Sequence, residues 1–241
     1  MKNVVLAAGY ATRLYPLTEN FPKPLLPVGN STILDKLIDD IDKIPDIEEH
    51  IVVVNHKFVK IFEDWKNRKQ TAKPLSLVDD LSTENENRLG AVRDLLLAVE
   101  EKKLQNADLL VVAADNLLDF SFVGFVDFFH EKQTSLIMTH YEESIAALQR
   151  TGVIEIDTDR RVLAMEEKPR EPKTHNAVPP FYIYKSSDVA KIKDCIAAGC
   201  NTDAPGNLVN FMLKKTVFHA WQMQGKRIDI GDLETYRKYR F

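Results

Sequence analysis

Along the first 140 residues, short unbroken apolar runs alternate with apolar residues at helical spacing, the pattern of a βαβ series. Asn3 to Ala8 reads as a buried strand that ends in a glycine turn. Ile33, Leu34, Leu37, Ile38, Ile41 and Ile44 then recur every three or four positions, predicting a helix over Ser31 to Ile44 with Ser31 or Thr32 as its N-cap. Strands are predicted at Ile51 to Val54, Leu75 to Val78, Leu109 to Ala113 and Ser135 to Tyr141. Between them come helices at Val59 to Arg68, Gly90 to Lys103 and around Phe125 to Phe129. The expected fold class is α/β: a Rossmann-like, mainly parallel twisted sheet with helices on both faces.

Past about residue 140 the pattern changes. Strands crowd together at Gly152 to Asp157, Val162 to Glu167 and Phe181 to Tyr184, followed by helices at Ser187 to Ala198 and Leu208 to Lys215. This half reads as mixed and partly antiparallel. No repeat or Gly/Ser-rich linker separates the halves, so the expectation is one domain over 1–241, with halves of about 1–140 and 141–241.

Composition narrows the functional classes. The chain has 241 residues, 44% of them apolar, with 36 acidic against 32 basic residues and a net charge of -4. That balance supplies no field to draw the whole molecule onto nucleic acid or an anionic membrane, so anionic ligands must be met by local constellations. No run reaches the roughly 18 apolar residues that span a bilayer, and the N-terminus lacks a signal-peptide pattern; the expected setting is cytoplasmic. Cys195 and Cys200 stand C-x4-C with no second pair to complete a zinc site, so they read as packed thiols.

The stretch LAAGYATRLYPLTENFPKPLLPV, Leu6 to Val28, carries the most chemistry. Ala7, Ala8 and Gly9 let a backbone approach a flat base or a phosphate and aim N–H groups at it. Arg13 offers a planar fork of donors to a pyrophosphate, and Lys23, flanked by Pro22 and Pro24, a compact charge for a phosphate gaining charge in a transition state. There is no G-x-x-x-x-G-K-[ST] loop, and one glycine stands where a dinucleotide fingerprint needs three, which argues against a P-loop kinase or a dehydrogenase. The stretch resembles the signature L-[AG]-[AG]-G-x-G-T-R-L-x-P-L-T…P-K-x-[ML]-[LV]-P-[VI] of the sugar-phosphate nucleotidyltransferases, which include the glucose-1-phosphate thymidylyltransferases. Ala11 replaces the second glycine of that signature. If the position requires positive φ, alanine costs about 1 kcal/mol there.

The resemblance implies transfer of a nucleoside monophosphate from an NTP to a phosphorylated acceptor, a sugar 1-phosphate with hexose favoured, releasing pyrophosphate. It places the nucleotide on Leu6, Ala7, Ala8, Gly9, Thr12, Arg13, Lys23, Leu89 and Gly90, and catalysis on Arg13, Lys23 and Asp115. Asp115, just past an apolar strand, suits a hard cation, which takes one or two carboxylates and fills its shell with phosphate oxygens and water. Asp229 in RIDIGD corresponds to the family's second Mg²⁺ ligand, while Asp232 and Glu234 cap and charge a final helix. On the acceptor side, GVIE and EEKP map the family's sugar and phosphate contacts onto Gly152, Glu167 and Lys168.

Departures fall in the acceptor half. Pro179 and Pro180 replace a small pair, GNLVNF from Gly206 lacks the acidic motif that helps hold hexose hydroxyls, and Arg227 replaces an aromatic residue. Two alternatives therefore stay open: a cytidylyltransferase for a phosphorylated alcohol such as phosphocholine, and a catalytically silent regulatory paralogue. The base and the oligomeric state are also open.

Overall fold

The strands expected from the unbroken apolar runs all form in the structure, a computed structural model that describes residues 1–241. In chain order they are β1 (Lys2–Leu6), β2 (Pro27–Val28), β3 (Ser31–Thr32), β4 (Glu49–Val54), β5 (Leu75–Asp79), β6 (Leu109–Ala113), β7 (Asn116–Leu118), β8 (Ser135–Tyr141), β9 (Gly152–Ile156), β10 (Val162–Glu167), β11 (Asn176–Val178), β12 (Phe181–Tyr184), β13 (Phe218–Gln222) and β14 (Arg227–Asp229). The helices are α1 (Ile33–Ile41), α2 (Val59–Arg68), α3 (Ala91–Glu101), α4 (Val123–Lys132), α5 (Ile145–Leu148), α6 (Ser186–Val189), α7 (Ile192–Ala197), α8 (Pro205–Met212) and α9 (Leu233–Tyr239). Two compact units interleave along the chain: Met1–Leu89, Val112–Val123 and Gly225–Phe241 form the first, Gly90–Val111 and Gly124–Gln224 the second. No single cut near residue 140 separates them.

In the first unit β1, β4 and β5 run parallel, with Val4 opposite Ile51 and Ile51 opposite Ser76. Val4, Val5 and the run Ile51 to Val54 are completely buried, as expected of strands covered on both faces. Helix α1 starts where Thr32 and Asp35 form a reciprocal capping box, and its apolar stripe from Ile33 to Ile41 is buried. Asp232 caps α9 by accepting from Thr235 N at 2.8 Å. Leu14, Leu26, Val28, Ile33, Leu117, Ile230 and Tyr236 form one apolar cluster, bringing the segment after the glycine turn, β7 and the chain's last strand and helix to the same core.

The second unit is built on the order β10-β9-β11-β8-β12, antiparallel throughout, with β13 added parallel to β8. Its core holds Phe125, Phe181, Tyr184 and Phe218, all fully buried. Two predicted helices shift. The stretch Ser187 to Ala198 is α6 and α7 rather than one helix, and the later one begins at Pro205, three residues early, because proline is preorganised for a first helical turn. The buried carboxylate of Asp188 on α6 accepts from Ser135, Lys191 and Thr216, an anchor absent from any local pattern.

Candidate active site

The glycine turn is fixed at both ends. Ala7 N donates to Val53 O at 2.9 Å and Ala114 N to Leu6 O at 3.1 Å, which sets the turn at the carboxyl ends of parallel strands. Buried Asn55 donates to Ala8 O at 3.0 Å and accepts from Phe58 N at 3.1 Å. Tyr10 points inward to Ser82 Oγ at 3.0 Å, and Ser82 in turn donates to the buried Asp80. Burial pushes the Asp80 carboxyl up, opposed by the Ser82 hydrogen bonds. Ala7 and Ala8 are buried, Gly9 is exposed, and a Cβ on Gly9 would meet nothing within 4 Å. The fold does not demand glycine there; its absent side chain leaves open space above the backbone, as a ligand would need.

Ala11 stands at φ 48° and ψ 43°, in the left-handed region where L-residues are strained. Thr18 Oγ1 donates to its carbonyl at 2.8 Å and Leu14 N does so at 2.9 Å, holding the conformation. Thr12 and Arg13 follow on an exposed turn.

Lys23 lies in a short turn stiffened by Pro22 and Pro24, buried except for 9% of its side chain. Its Nζ sits 3.2 Å from Asp115 Oδ2 and 3.8 Å from Asp229 Oδ1. Three groups from distant parts of the chain, Lys23 and Asp115 alone being 92 residues apart, thus meet at one point. Asp115 occupies the turn between β6 and β7, so it caps no helix. Asp229 ends β14, which pairs antiparallel with β7 and sets Asp229 opposite Asn116. Crowding by protein atoms pushes the Asp229 carboxyl up, the Asp115 carboxylate adds to this, and Lys23 and Arg227 oppose it. Two carboxylates with 39% and 52% of their side-chain surface open to water suit a cation that keeps several water or phosphate ligands; the residues present fit Mg²⁺. Around them Asn116 donates to Asp115 Oδ1 at 2.6 Å and accepts from Arg227 Nη1 at 2.7 Å.

The predicted acceptor residues fall in the second unit. Gly152 and Glu167 face each other across the β9–β10 pair. A Cβ on Gly152 would come within 3.3 Å of Glu167 Oε2, and one on Gly206, at the start of α8, would overlap that oxygen outright. Gly206 therefore makes room for this carboxylate, and both glycines make room for the Met165 methyl, which a Cβ would approach to 2.7 Å at Gly152 and more closely still at Gly206. Burial pushes the Glu167 carboxyl up, Lys168 opposes this and Asp203 adds to it. Lys168 is exposed, with φ at 52°, unusual for any side-chain-bearing residue and more so for one preceding a proline. Leu89, in the first unit, is half-buried; Gly90, at φ 88°, packs where a Cβ would lie 2.6 Å from Thr202 O, so only glycine fits.

A family model described as nucleotidyl transferase matches residues 2–239. The chain belongs to the nucleotidyl transferase family. It is 30% identical over 175 residues to the bifunctional protein GlmU of Methanococcus aeolicus, a match that covers 73% of this chain and 38% of that protein. It is 27% identical over 234 residues to mannose-1-phosphate guanyltransferase beta-A of Xenopus laevis, covering 96% of this chain and 61% of that protein. This nucleotidyl transferase chain thus spans less than two thirds of the length of these relatives. Its fold is shared with a Bacillus anthracis protein assigned as a glucose-1-phosphate thymidylyltransferase and solved with sucrose, at TM-score 0.82 and 23% identity, covering 100% of this chain and 94% of the other. UDP-glucose pyrophosphorylase complexed with UDP-glucose superimposes equally well, at TM-score 0.82 and 21% identity over 99% of this chain and 96% of the other.

Proposed function

We propose that this nucleotidyl transferase moves a nucleoside monophosphate from an NTP to a sugar 1-phosphate, with hexose favoured, and releases pyrophosphate to leave an NDP-sugar. The observation that carries the reading is the convergence of Lys23, Asp115 and Asp229 beside an open glycine turn. The acceptor's phosphate oxygen forms a bond to the α-phosphorus in line as the bond from that phosphorus to the pyrophosphate oxygen breaks. No covalent enzyme intermediate is needed, so the chain's task is to position two anions and offset developing charge. Ala8 and Gly9 present backbone to the nucleotide, Arg13 grips its departing phosphates, and Lys23 neutralises charge at the reacting centre. Asp115 and Asp229 would hold Mg²⁺, which when bound supplies charge neutralisation and a template for phosphate oxygens. Glu167 would accept from acceptor hydroxyls and Lys168 meet the acceptor phosphate. NTP and sugar phosphate as substrates fit a cytoplasmic setting, and no helix is long and apolar enough to cross a membrane.

A second acceptor class is favoured by one feature: α8 opens Pro205–Gly206–Asn207 and carries no carboxylate along its length, leaving Asp203 before it as the nearest acidic neighbour of Glu167 from this segment. A phosphorylated alcohol such as phosphocholine needs fewer hydroxyl acceptors than a hexose. A panel of NTPs against hexose 1-phosphates and phosphocholine, read by pyrophosphate release with and without EDTA, decides between them. The expected result is acceptor-dependent, EDTA-sensitive release with a hexose 1-phosphate. Steady NTP hydrolysis without acceptor, or no release with any pair, would overturn the proposal.

A further inference from the structure

Arg227 and Asn116 sit on paired strands, and their side chains are joined to each other and to the carboxylate beside Lys23. In the β7–β14 pair Asp229 lies opposite Asn116 and Arg227 opposite Leu118. Side chains two positions apart share a face, so Arg227 and Asp229 point the same way while Ile228 packs toward the apolar cluster and Ile230 is fully buried. Arg227 reaches diagonally across the pair to Asn116 Oδ1 at 2.7 Å, and Asn116 Nδ2 reaches Asp115 Oδ1 at 2.6 Å. The second oxygen of Asp115 receives Lys23 at 3.2 Å. Both oxygens of this carboxylate thus have a donor, and its plane is set.

We propose that Arg227 is a positioning residue that orients Asp115 for its cation by fixing the amide of the buried Asn116. The inference rests on the reading of Asp115 and Asp229 as the Mg²⁺ carboxylates. The chemistry is that of an amide with two unlike ends. In the observed orientation the guanidinium donates to the amide oxygen and the amide nitrogen donates to the carboxylate. Turned over, the amide would set N–H against N–H at Arg227 and oxygen against oxygen at Asp115, two mismatches in a place where Asn116 is only 2% exposed. Without Arg227 only one of those mismatches remains, and the amide loses half of what selects its orientation. Residues that orient metal ligands in this way typically change metal affinity or activity by about 10–100-fold when removed. A guanidinium is suited to the task because it keeps its charge at any pH and holds its donors in a rigid fork.

The test is calorimetric titration of Mn²⁺ alone into the wild-type chain, Arg227→Met, Arg227→Lys, Asn116→Ala and the Arg227→Met/Asn116→Ala double variant. Melting curves establish that each is folded, and acceptor KM and kcat are measured alongside. Arg227→Met should bind Mn²⁺ about 10-fold or more weakly and lose kcat to a similar degree, with acceptor KM little changed. Arg227→Lys should recover most of the affinity, since a lysine can still donate to the amide oxygen. Because Arg227 acts through Asn116, the double variant should bind no more weakly than Asn116→Ala. Unchanged Mn²⁺ affinity in Arg227→Met, or additive losses in the double variant, would overturn the proposal. A raised acceptor KM with normal metal binding would also overturn it, making Arg227 a substrate contact. If the wild-type chain itself bound no Mn²⁺, the two-carboxylate reading would fall and take this inference with it.

Discussion

Ala11 shows how a single residue departs from a motif and what that departure costs. Its φ of 48° is the conformation that a glycine would adopt without strain. Left-handed backbone costs an L-residue about 1–2 kcal/mol, whereas glycine loses about 0.4–1 kcal/mol through the freedom of its unfolded chain. The strain of alanine therefore outweighs the entropic cost of glycine. Ala11→Gly should leave the melting temperature unchanged or raise it by a few degrees, while Ala8→Gly, at a buried position without positive φ, should lower it; equal losses in both would show that Ala11 is unstrained. One missing glycine in a long motif raises positive φ at this position as a condition, and the backbone of Ala11 meets it. Lys168 has no such sign: nothing in E-E-K-P announces a left-handed lysine before a proline. Asp115 could be placed because it follows the apolar run Leu109 to Ala113, and Asp229 because RIDIGD matches the D-x-G of the resembled family. The Arg227–Asn116 bond spans 111 residues and depends on a pairing of two three-residue strands, too short for any periodicity to reveal.

At the scale of elements, the first strands and helices followed from hydrophobic spacing, while β7 and β13 were missed because their partners lie far away in sequence. Strand β13 has its apolar run broken by His219, and it forms by pairing along β8 from Phe218 to Gln222. In the first unit β4 is tied to the chain around it by a buried polar relay. His50 is fully buried, with Nδ1 2.9 Å from Asn3 Nδ2 and Nε2 3.0 Å from Asp42 Oδ1. Asp42 also accepts from the backbone of Ala72 and Lys73, just before β5. Burial holds the His50 imidazole below its usual range; Asp42 opposes this, and the Lys73 and Lys69 charges add to it. Its folded-state pKa is thus depressed, so below about pH 6.5 the unfolded chain binds a proton that the folded chain resists. Stability contributed by neutral His50 is full above that pH and is lost as pH falls toward the folded-state value. Melting temperature should accordingly decline between pH 7.5 and 5, and less steeply in His50→Gln; parallel slopes would remove His50 from this role. In the second unit, α8 meets Glu167 at Gly206, where an added methyl would displace the carboxylate. Gly206→Ala should raise acceptor KM several-fold while NTP KM stays near normal, and equal changes in both would detach Glu167 from acceptor binding.

For the whole molecule, the α/β class and the change of character along the chain were legible in the alternation of apolar runs and helical spacing. The division into units was not, because each unit draws on separated stretches and the last of them, Gly225–Phe241, returns to the first unit. That return is what delivers Asp229 to Lys23 and Asp115, so assembly of this cluster depends on the course of the entire chain rather than on its signature stretch. The relatives and structural neighbours carry guanyltransferase, thymidylyltransferase and UDP-glucose pyrophosphorylase names, so the fold alone fixes neither donor nor acceptor. In the proposed reaction the bond formed joins the acceptor phosphate oxygen to the α-phosphorus, whichever base and acceptor are used. The most direct measurement supplies the chain with an NTP labelled in its α-phosphate, a hexose 1-phosphate and Mg²⁺, and follows both the label and free pyrophosphate. Label should enter a nucleotide-linked product in equal amount to the pyrophosphate released, and neither should form without acceptor. Label recovered as free nucleoside monophosphate or diphosphate, with no labelled acceptor product, would contradict the proposed transfer.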